Sequence, residues 1–328
     1  MNLLVISNNP GRASFRQRIE VYLDALRKNG INCRIAKLPT GIWGRRKLFE
    51  QAKDFDAVFL HKKCLNLFDA FWLRKYSKIV IYDFDDAVMY DDKHPDMPSR
   101  KRLKSFQRTA QLADMVIAGN SYLAEHARKF NPNVKVLPTG LDTSIYSGQS
   151  FSKNDANIRL VWIGSKTTLK YLAELKPALE QIGARFNNVI LRIIADDFFE
   201  LKNMRVEKRP WSKEKEIEDL VTGEIGLSPL PDDNFTKGKC GFKILQYACA
   251  GLPVVASPVG TNSEYVREGI TGFLATDTQK WVERISQLVE NPQLCKKMGE
   301  QGRAWAKNFD VSVIGKQLCE LITKCLHT

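Results

Sequence analysis

Short apolar runs alternate with amphipathic stretches along the first half of the chain. Leu3–Ser7, Asn32–Ile35, Ala57–Leu60, Lys78–Tyr82, Met115–Ala118 and Val134–Leu137 read as strands. The helical period predicts helices over Ser14–Lys28, Ser99–Leu112 and Ser121–Phe130. Such β-α-β repetition implies a parallel sheet with helices on both faces. The polar stretch Ser147–Asp155 has no periodicity and reads as a linker. A second series then begins. Its strands are expected at Ile158–Ile163, Val189–Ile194, Ile225–Leu227, Pro253–Ala256 and Gly272–Leu274. Its helices are expected at Leu172–Ile182, Lys213–Leu220, Phe242–Ala250, Ser263–Arg267, Thr278–Val289, Pro292–Asn308 and Val311–Cys325. The domain expectation is 1–148, a linker over 149–157, a second domain over 158–308 and a closing helix over 309–328. Ligands of open α/β sheets bind beyond the carboxyl ends of the strands. Two such halves place the expected site in a cleft between them.

Composition narrows the class. The 328 residues are 44% hydrophobic and 27% charged, which excludes collagen, coiled coil and wholesale disorder. No run reaches the roughly 18 apolar residues of a membrane-spanning helix. The chain opens directly on a core strand, with no basic region before it, so no secretion signal is expected. Seven cysteines, an odd number without a C-x-x-C pair, point to buried thiols in a reducing cytoplasm rather than a zinc site or disulfide framework.

Charge is distributed unevenly. Residues 1–150 hold 25 Lys and Arg against 15 Asp and Glu, a net of +10, while the remainder carries +3. Much of the excess lies in Gly44-Arg45-Arg46-Lys47, Lys62-Lys63, Arg74-Lys75 and Arg100–Lys104. This suits an anionic membrane surface or an anionic acceptor, or else a solvated basic face. Nucleic acid is not expected, since aromatic and basic residues do not interleave and no zinc finger is present.

Three segments carry candidate chemistry. In Trp162-Ile163-Gly164-Ser165-Lys166-Thr167-Thr168-Leu169-Lys170 a strand ends in a glycine turn and a helix opens, a ready anion site. Lys166 and Lys170, four apart, are expected on one face of its first turns, and the plainer reading makes them surface lysines. In Lys237-Gly238-Lys239-Cys240-Gly241-Phe242-Lys243-Ile244-Leu245-Gln246 three lysines and two glycines lead into a helix and a buried strand. That pattern suits a phosphate, or a basic helix cap with a packed glutamine. The third segment, Asp83-Phe84-Asp85-Asp86, is expected just after the strand Lys78–Tyr82.

Lys237–Gly260 with Gly269–Leu274 resembles the donor-sugar domain of family 4 glycosyltransferases. Asn120–Leu123 and Pro138–Asp142 resemble the segments that close that family's first domain. Ile163-Gly164 with Lys170 matches its glycine and lysine spacing, and Pro229–Asp233 resembles the loop before its donor helix. The resemblance spans nearly the whole chain and is most specific in the second half. It implies a GT-B fold: two Rossmann-like doubly wound domains facing across a cleft, with the final helix crossing back to the first. It also implies retaining, metal-independent transfer from a nucleotide-sugar donor, with no cofactor. Fixed lysines and helix starts would then stabilise the leaving diphosphate. Lys170 matches the family's phosphate lysine. Gly11, with Arg16 or Arg18 nearby, matches the loop where donor phosphates approach. Lys166, Lys239, Gly241, Phe242, Lys243 and Gln246 fall in the expected donor site.

The chain departs from the family pattern at three positions. Ser165 stands where an arginine is frequent. Gly238 and Gln246 stand where two glutamates eight apart are usual. Asp85 and Asp86 are the expected catalytic pair, orienting the acceptor hydroxyl or bonding the sugar. Asp-x-Asp after a strand is also the manganese motif of GT-A enzymes, and a helix cap is the plainer reading. The expected function is hexosyl-type transfer to a saccharide or lipid-linked acceptor of surface polysaccharide or glycolipid synthesis. It is placed in the cytoplasm, peripheral at the inner membrane face. The alternative is a non-catalytic GT-B module that binds nucleotide, glycan or a partner transferase.

Overall fold

A computed structural model describes residues 1–146 and 155–327. The linker expected over 149–157 lies mostly outside them. The chain divides into two compact units. The first combines Met1–Leu141, Asp233–Cys240 and the C-terminal stretch from Phe309; the second combines Asp142–Asp232 and Gly241–Asn308.

The first unit runs β1 (Asn2–Ser7), α1 (Ala13–Arg18), α2 (Leu23–Lys28), β2 (Asn32–Lys37), α3 (Ile42–Glu50), β3 (Ala57–His61), α4 (Leu67–Tyr76), β4 (Val80–Phe84), α5 (Arg100–Leu112), β5 (Met115–Ala118), α6 (Ser121–Arg128) and β6 (Val134–Val136). Its six strands are parallel in the order β2-β1-β3-β4-β5-β6. Alternation along the strands sorts side chains to two faces. Leu4, Ile6, Val58, Leu60, Val80 and Tyr82 pack against the helices of one face. Leu3, Val5, Phe59, Ile81 and Ile117 pack on the other with Phe15, Ile19, Tyr22 and Leu26.

The second unit runs β7 (Ile158–Ile163), α7 (Leu169–Ala173), α8 (Lys176–Arg185), β8 (Val189–Ala195), β9 (Val206–Pro210), α9 (Glu216–Val221), β10 (Ile225–Ser228), α10 (Phe242–Ala250), β11 (Val254–Ala256), α11 (Thr261–Tyr265), β12 (Gly272–Leu274), α12 (Thr278–Glu290) and α13 (Pro292–Ala306). These strands are also parallel, ordered β12-β11-β10-β7-β8-β9. The last helix, α14 (Val311–Leu326), packs in the first unit through Ile314, Leu318 and Ile322.

Several expectations change. The helix expected over Ser14–Lys28 breaks at Ile19, whose φ of −130° is not helical. The break lets Arg18 turn into the core while Tyr22 accepts the Gly140 N–H at 2.7 Å. Strand β4 runs two residues further than expected, so Asp83 lies inside it and is buried rather than following it. Helix α7 starts at Leu169, so Lys166 precedes the helix and shares no helical face with Lys170. Helices α3 and α4 and strand β9 were not expected. The segment Asp233–Cys240, assigned from sequence to the second domain, packs in the first unit, where Phe235 and Cys240 lie against its core.

Candidate functional site

The carboxyl edge of the first sheet gathers polar groups. Strand register sets Ser7 beside His61 and His61 beside Asp83. All three are buried. Arg18 holds Asp83 with two nitrogens, at 2.7 and 3.0 Å, and donates to the Leu137 carbonyl at 2.6 Å. Burial pushes the Asp83 pKa up, but the Arg18 charge and the hydrogen bonds from His61 and Arg18 outweigh it and hold it below the usual carboxylate value. Burial likewise opposes the Arg18 charge, and Asp83 more than restores it. His61 Nδ1 lies 3.1 Å from Asp83 Oδ2. With the carboxylate accepting, Nδ1 carries the proton. Nε2 is left buried without a hydrogen-bond partner.

Lys62, next in the chain, is the one non-glycine residue at positive φ (59°) among the described residues. Such backbone strain clusters at functional sites. Its amide donates to the Asp83 carbonyl at 2.7 Å. Its ammonium lies 3.0 Å from Asp85 Oδ1 and 3.1 Å from Asp86 Oδ2. Burial would lower the lysine pKa, but the two carboxylates raise it above its ordinary value. Lys239 approaches the other oxygen of Asp86 at 3.0 Å and sits 4.4 Å from the centre of the Phe235 ring. Asp86 therefore stands between two lysines and Asp85 beside Lys62, while Asp83 belongs to a separate buried pair.

The segment bearing Lys239 is clamped from below. Asn120 Nδ2 donates to the Lys237 and Lys239 carbonyls at 3.3 and 3.1 Å, and its Oδ1 caps α6 by accepting the Leu123 N–H at 2.8 Å. Asn120→Ala removes a helix cap and this clamp, and should cost about 1–2 kcal/mol in urea unfolding. Asn120→Ser, which keeps a capping oxygen, should recover part of that loss. Gly238 is buried against Ala87: a Cβ there would stand 2.6 Å from the Ala87 Cβ and 2.9 Å from its backbone nitrogen.

Gly11 and Arg16 lie in and after the β1 loop, with Arg16 Nη1 donating to the Gly11 carbonyl at 3.1 Å. Both sit in the first unit, at the carboxyl end of β1.

The remaining donor-site residues belong to the second unit. Gly164 follows β7 and donates its N–H to the Ile194 carbonyl at 3.0 Å. Lys166 is drawn to the end of β8: its N–H donates to Asp196 at 2.6 Å and its ammonium lies 3.1 Å from Asp197. Lys170 is exposed near the Tyr171 ring. Gly241 caps the start of α10 at φ 64°, in the left-handed region that glycine occupies without penalty. Phe242 and Lys243 form the first turn. The Lys243 ammonium sits 4.2 Å from the centre of the Trp162 ring, close enough for a cation–π contact. Gln246 is buried, and its Nε2 donates to Glu216 Oε1 at 2.8 Å. The other oxygen of Glu216 accepts the Trp211 indole N–H at 2.6 Å. The reading of Gln246 as a packed glutamine thus describes its placement. Glu264 is exposed on α11.

Arg18, Lys62 and Glu216 carry interactions that the sequence reading did not assign. The sequence offers Arg18 only as an alternative to Arg16, and Lys62 only as part of a basic run. Among the described residues, no group of three or more His, Cys, Asp or Glu could hold a metal ion, and no helix is long and apolar enough to cross a membrane.

Residues 235–305 match the family model described as glycosyl transferases group 1. The chain is 30% identical over 83 residues to EpsD of Bacillus subtilis (strain 168), an alignment covering 25% of this chain and 22% of that protein. The chain thus spans about a fifth of the length of that curated relative. Its structure is similar to Anabaena HepE in complex with UDP, with a TM-score of 0.76 and 17% identity, covering 99% of this chain and 100% of that one. It is also similar to sucrose-phosphate synthase from Thermosynechococcus elongatus, with a TM-score of 0.75 and 15% identity over 98% of each chain. The fold is therefore GT-B: two units, each a six-stranded parallel sheet with alternating helices. The family match lies within residues 235–305, and the structural neighbours share the fold.

Proposed function

We propose that the chain transfers a sugar from a nucleoside-diphosphate sugar to a saccharide or lipid-linked acceptor, with retention of configuration and no required metal. The observation that carries this reading is the position of the family match. It covers 235–305, the segment in which Gly241, Phe242 and Lys243 open α10. HepE, a protein of the same fold, is described in complex with UDP-glucose.

In this reading the diphosphate binds the second unit at the start of α10 and near Gly164 and Lys170. The helix start and the lysines stabilise negative charge as it grows on the leaving group. The departing phosphate takes the proton of the acceptor hydroxyl on the same face of the sugar. Asp85 and Asp86 position that hydroxyl, and His61 Nε2 bonds a neighbouring hydroxyl of the saccharide. The reaction belongs to polysaccharide or glycolipid synthesis on the cytoplasmic face of a membrane.

A second reading, a non-catalytic nucleotide-binding module, draws on Gln246 and Gly238. One is satisfied within the protein and the other has no side chain. The first test is thermal unfolding with UDP, GDP, ADP, dTDP and CMP. A ligand at 100 times its dissociation constant adds about 2.7 kcal/mol. One nucleoside diphosphate should raise Tm, and the shift should shrink or vanish in Lys170→Ala. No shift with any of the five would refute donor binding.

A further inference from the structure

The starts of α3 and α4 carry a cluster of apolar side chains turned to solvent. Trp43 is 72% exposed, Leu67 68%, Phe68 62%, Phe71 62% and Ile42 46%. Single exposed apolar residues are ordinary, whereas a cluster rimmed by charge marks an interaction surface. The two helices pack side by side. A bridge between Arg45 and the buried Asp69, at 2.8 Å, ties their first turns together. Ile42 and Trp43 precede Arg45, and Leu67 and Phe68 precede Asp69, so the apolar residues flank that bridge. Phe71 follows Leu67 by one turn on the same helix face.

Each helix leaves the carboxyl end of its strand, β2 or β3. The cluster therefore lies at the sheet edge that also bears His61 and Asp83. Its surroundings are basic. Arg46 and Lys47 are exposed on α3, with the Arg46 guanidinium 5.9 Å from the Trp43 ring centre. Lys63 lies in the loop before α4, and Lys75 is exposed near its end.

We propose that this face docks the protein on an anionic lipid bilayer. Tryptophan and phenylalanine enter the boundary between headgroups and acyl chains, and the surrounding Arg and Lys meet anionic headgroups. The surplus of ten positive charges in residues 1–150 adds long-range attraction to such a surface. Docking through this face presents the carboxyl edge of the first sheet to molecules held in the membrane. Its use for a lipid-linked acceptor rests on the transfer reading, while the docking itself does not.

The test is flotation of the full chain with two kinds of vesicle: phosphatidylcholine alone, and phosphatidylcholine mixed with phosphatidylglycerol. The protein should float with the anionic vesicles only, and less so at high salt. The triple variant Trp43→Ser/Phe68→Ser/Phe71→Ser should lose that binding. Arg46→Gln/Lys47→Gln/Lys63→Gln should weaken it on the order of a hundredfold. Both variants alter partly or fully exposed side chains, and unchanged urea midpoints would show that they fold. Failure of the wild type to float would overturn the proposal, whatever nucleotide binding shows. So would equal flotation of the aromatic variant, or loss of a dimer in that variant without any vesicle binding.

Discussion

Arg18→Ala should lower the free energy of unfolding by about 3–5 kcal/mol, because it leaves one member of a buried ion pair alone. The Asp83 carboxylate would lose its three hydrogen bonds from Arg18 and its neutralising charge. His61, held through the same carboxylate, would lose its fixed orientation. The sign of the pH dependence follows from the depressed Asp83 pKa. In the wild type its stabilisation is complete above the unfolded carboxylate pKa, about 3.9. It is lost as pH falls from there through the lower folded value. In Arg18→Ala the buried carboxylate prefers to be neutral, so the variant should regain ground in acid. Urea unfolding at pH 7 and pH 4 should show the gap between the two proteins narrowing as pH falls. A gap that is constant or widens would mean that charge pairing is not what holds Arg18.

Gly238→Glu should destabilise the protein by about 3 kcal/mol, the upper end of ordinary overpacking costs. It should not improve donor use. The position is one where the family that the chain resembles usually carries a glutamate, so the substitution looks like a restoration. In this chain the backbone there lies against Ala87, and even a Cβ would meet its nitrogen at 2.9 Å. The segment from Asp233 to Cys240 would have to lift from the first unit. Lys239 would then leave Asp86. Comparing Tm and nucleotide-induced stabilisation in Gly238→Glu and Gly238→Ala separates the causes. The alanine variant should already show much of the loss in Tm, since the clash begins at Cβ. A glutamate variant as stable as the wild type, with tighter donor binding, would contradict the packing described here.

The alternation of strands and helices was legible because most core strands are continuous apolar runs, and α10 and β12 fall on their expected residues. Three elements were hidden for identifiable reasons. Helix α4 turns Leu67, Phe68 and Phe71 outward, which blurs the apolar period that reveals a helix. Helix α3 likewise exposes Ile42 and Trp43. Strand β9 is charged, with Glu207 taking Arg192 and Arg209, so nothing in it reads as a core strand. The motif from Asp83 to Asp86 was legible as a group. Its division into a buried Arg18 partner and a lysine-flanked pair was not, because that depends on where β4 ends. The positive φ of Lys62 has no sequence signal, since lysine is not a residue that favours such a turn. Gly238 lies against Ala87 and Gln246 donates to Glu216, placements that depend on packing the sequence pattern does not carry.

The central claim is cleavage of the bond between the sugar's anomeric carbon and the diphosphate. The most direct measurement is 31P and 1H NMR of the protein with the nucleotide sugar whose nucleoside diphosphate raises Tm. Transfer to water, slow but detectable, should release nucleoside diphosphate, and the first-formed free sugar should keep the donor's anomeric configuration. Lys170→Ala should slow that release. An intact donor under conditions where the nucleotide binds would contradict the account and leave a nucleotide-binding module without transferase activity.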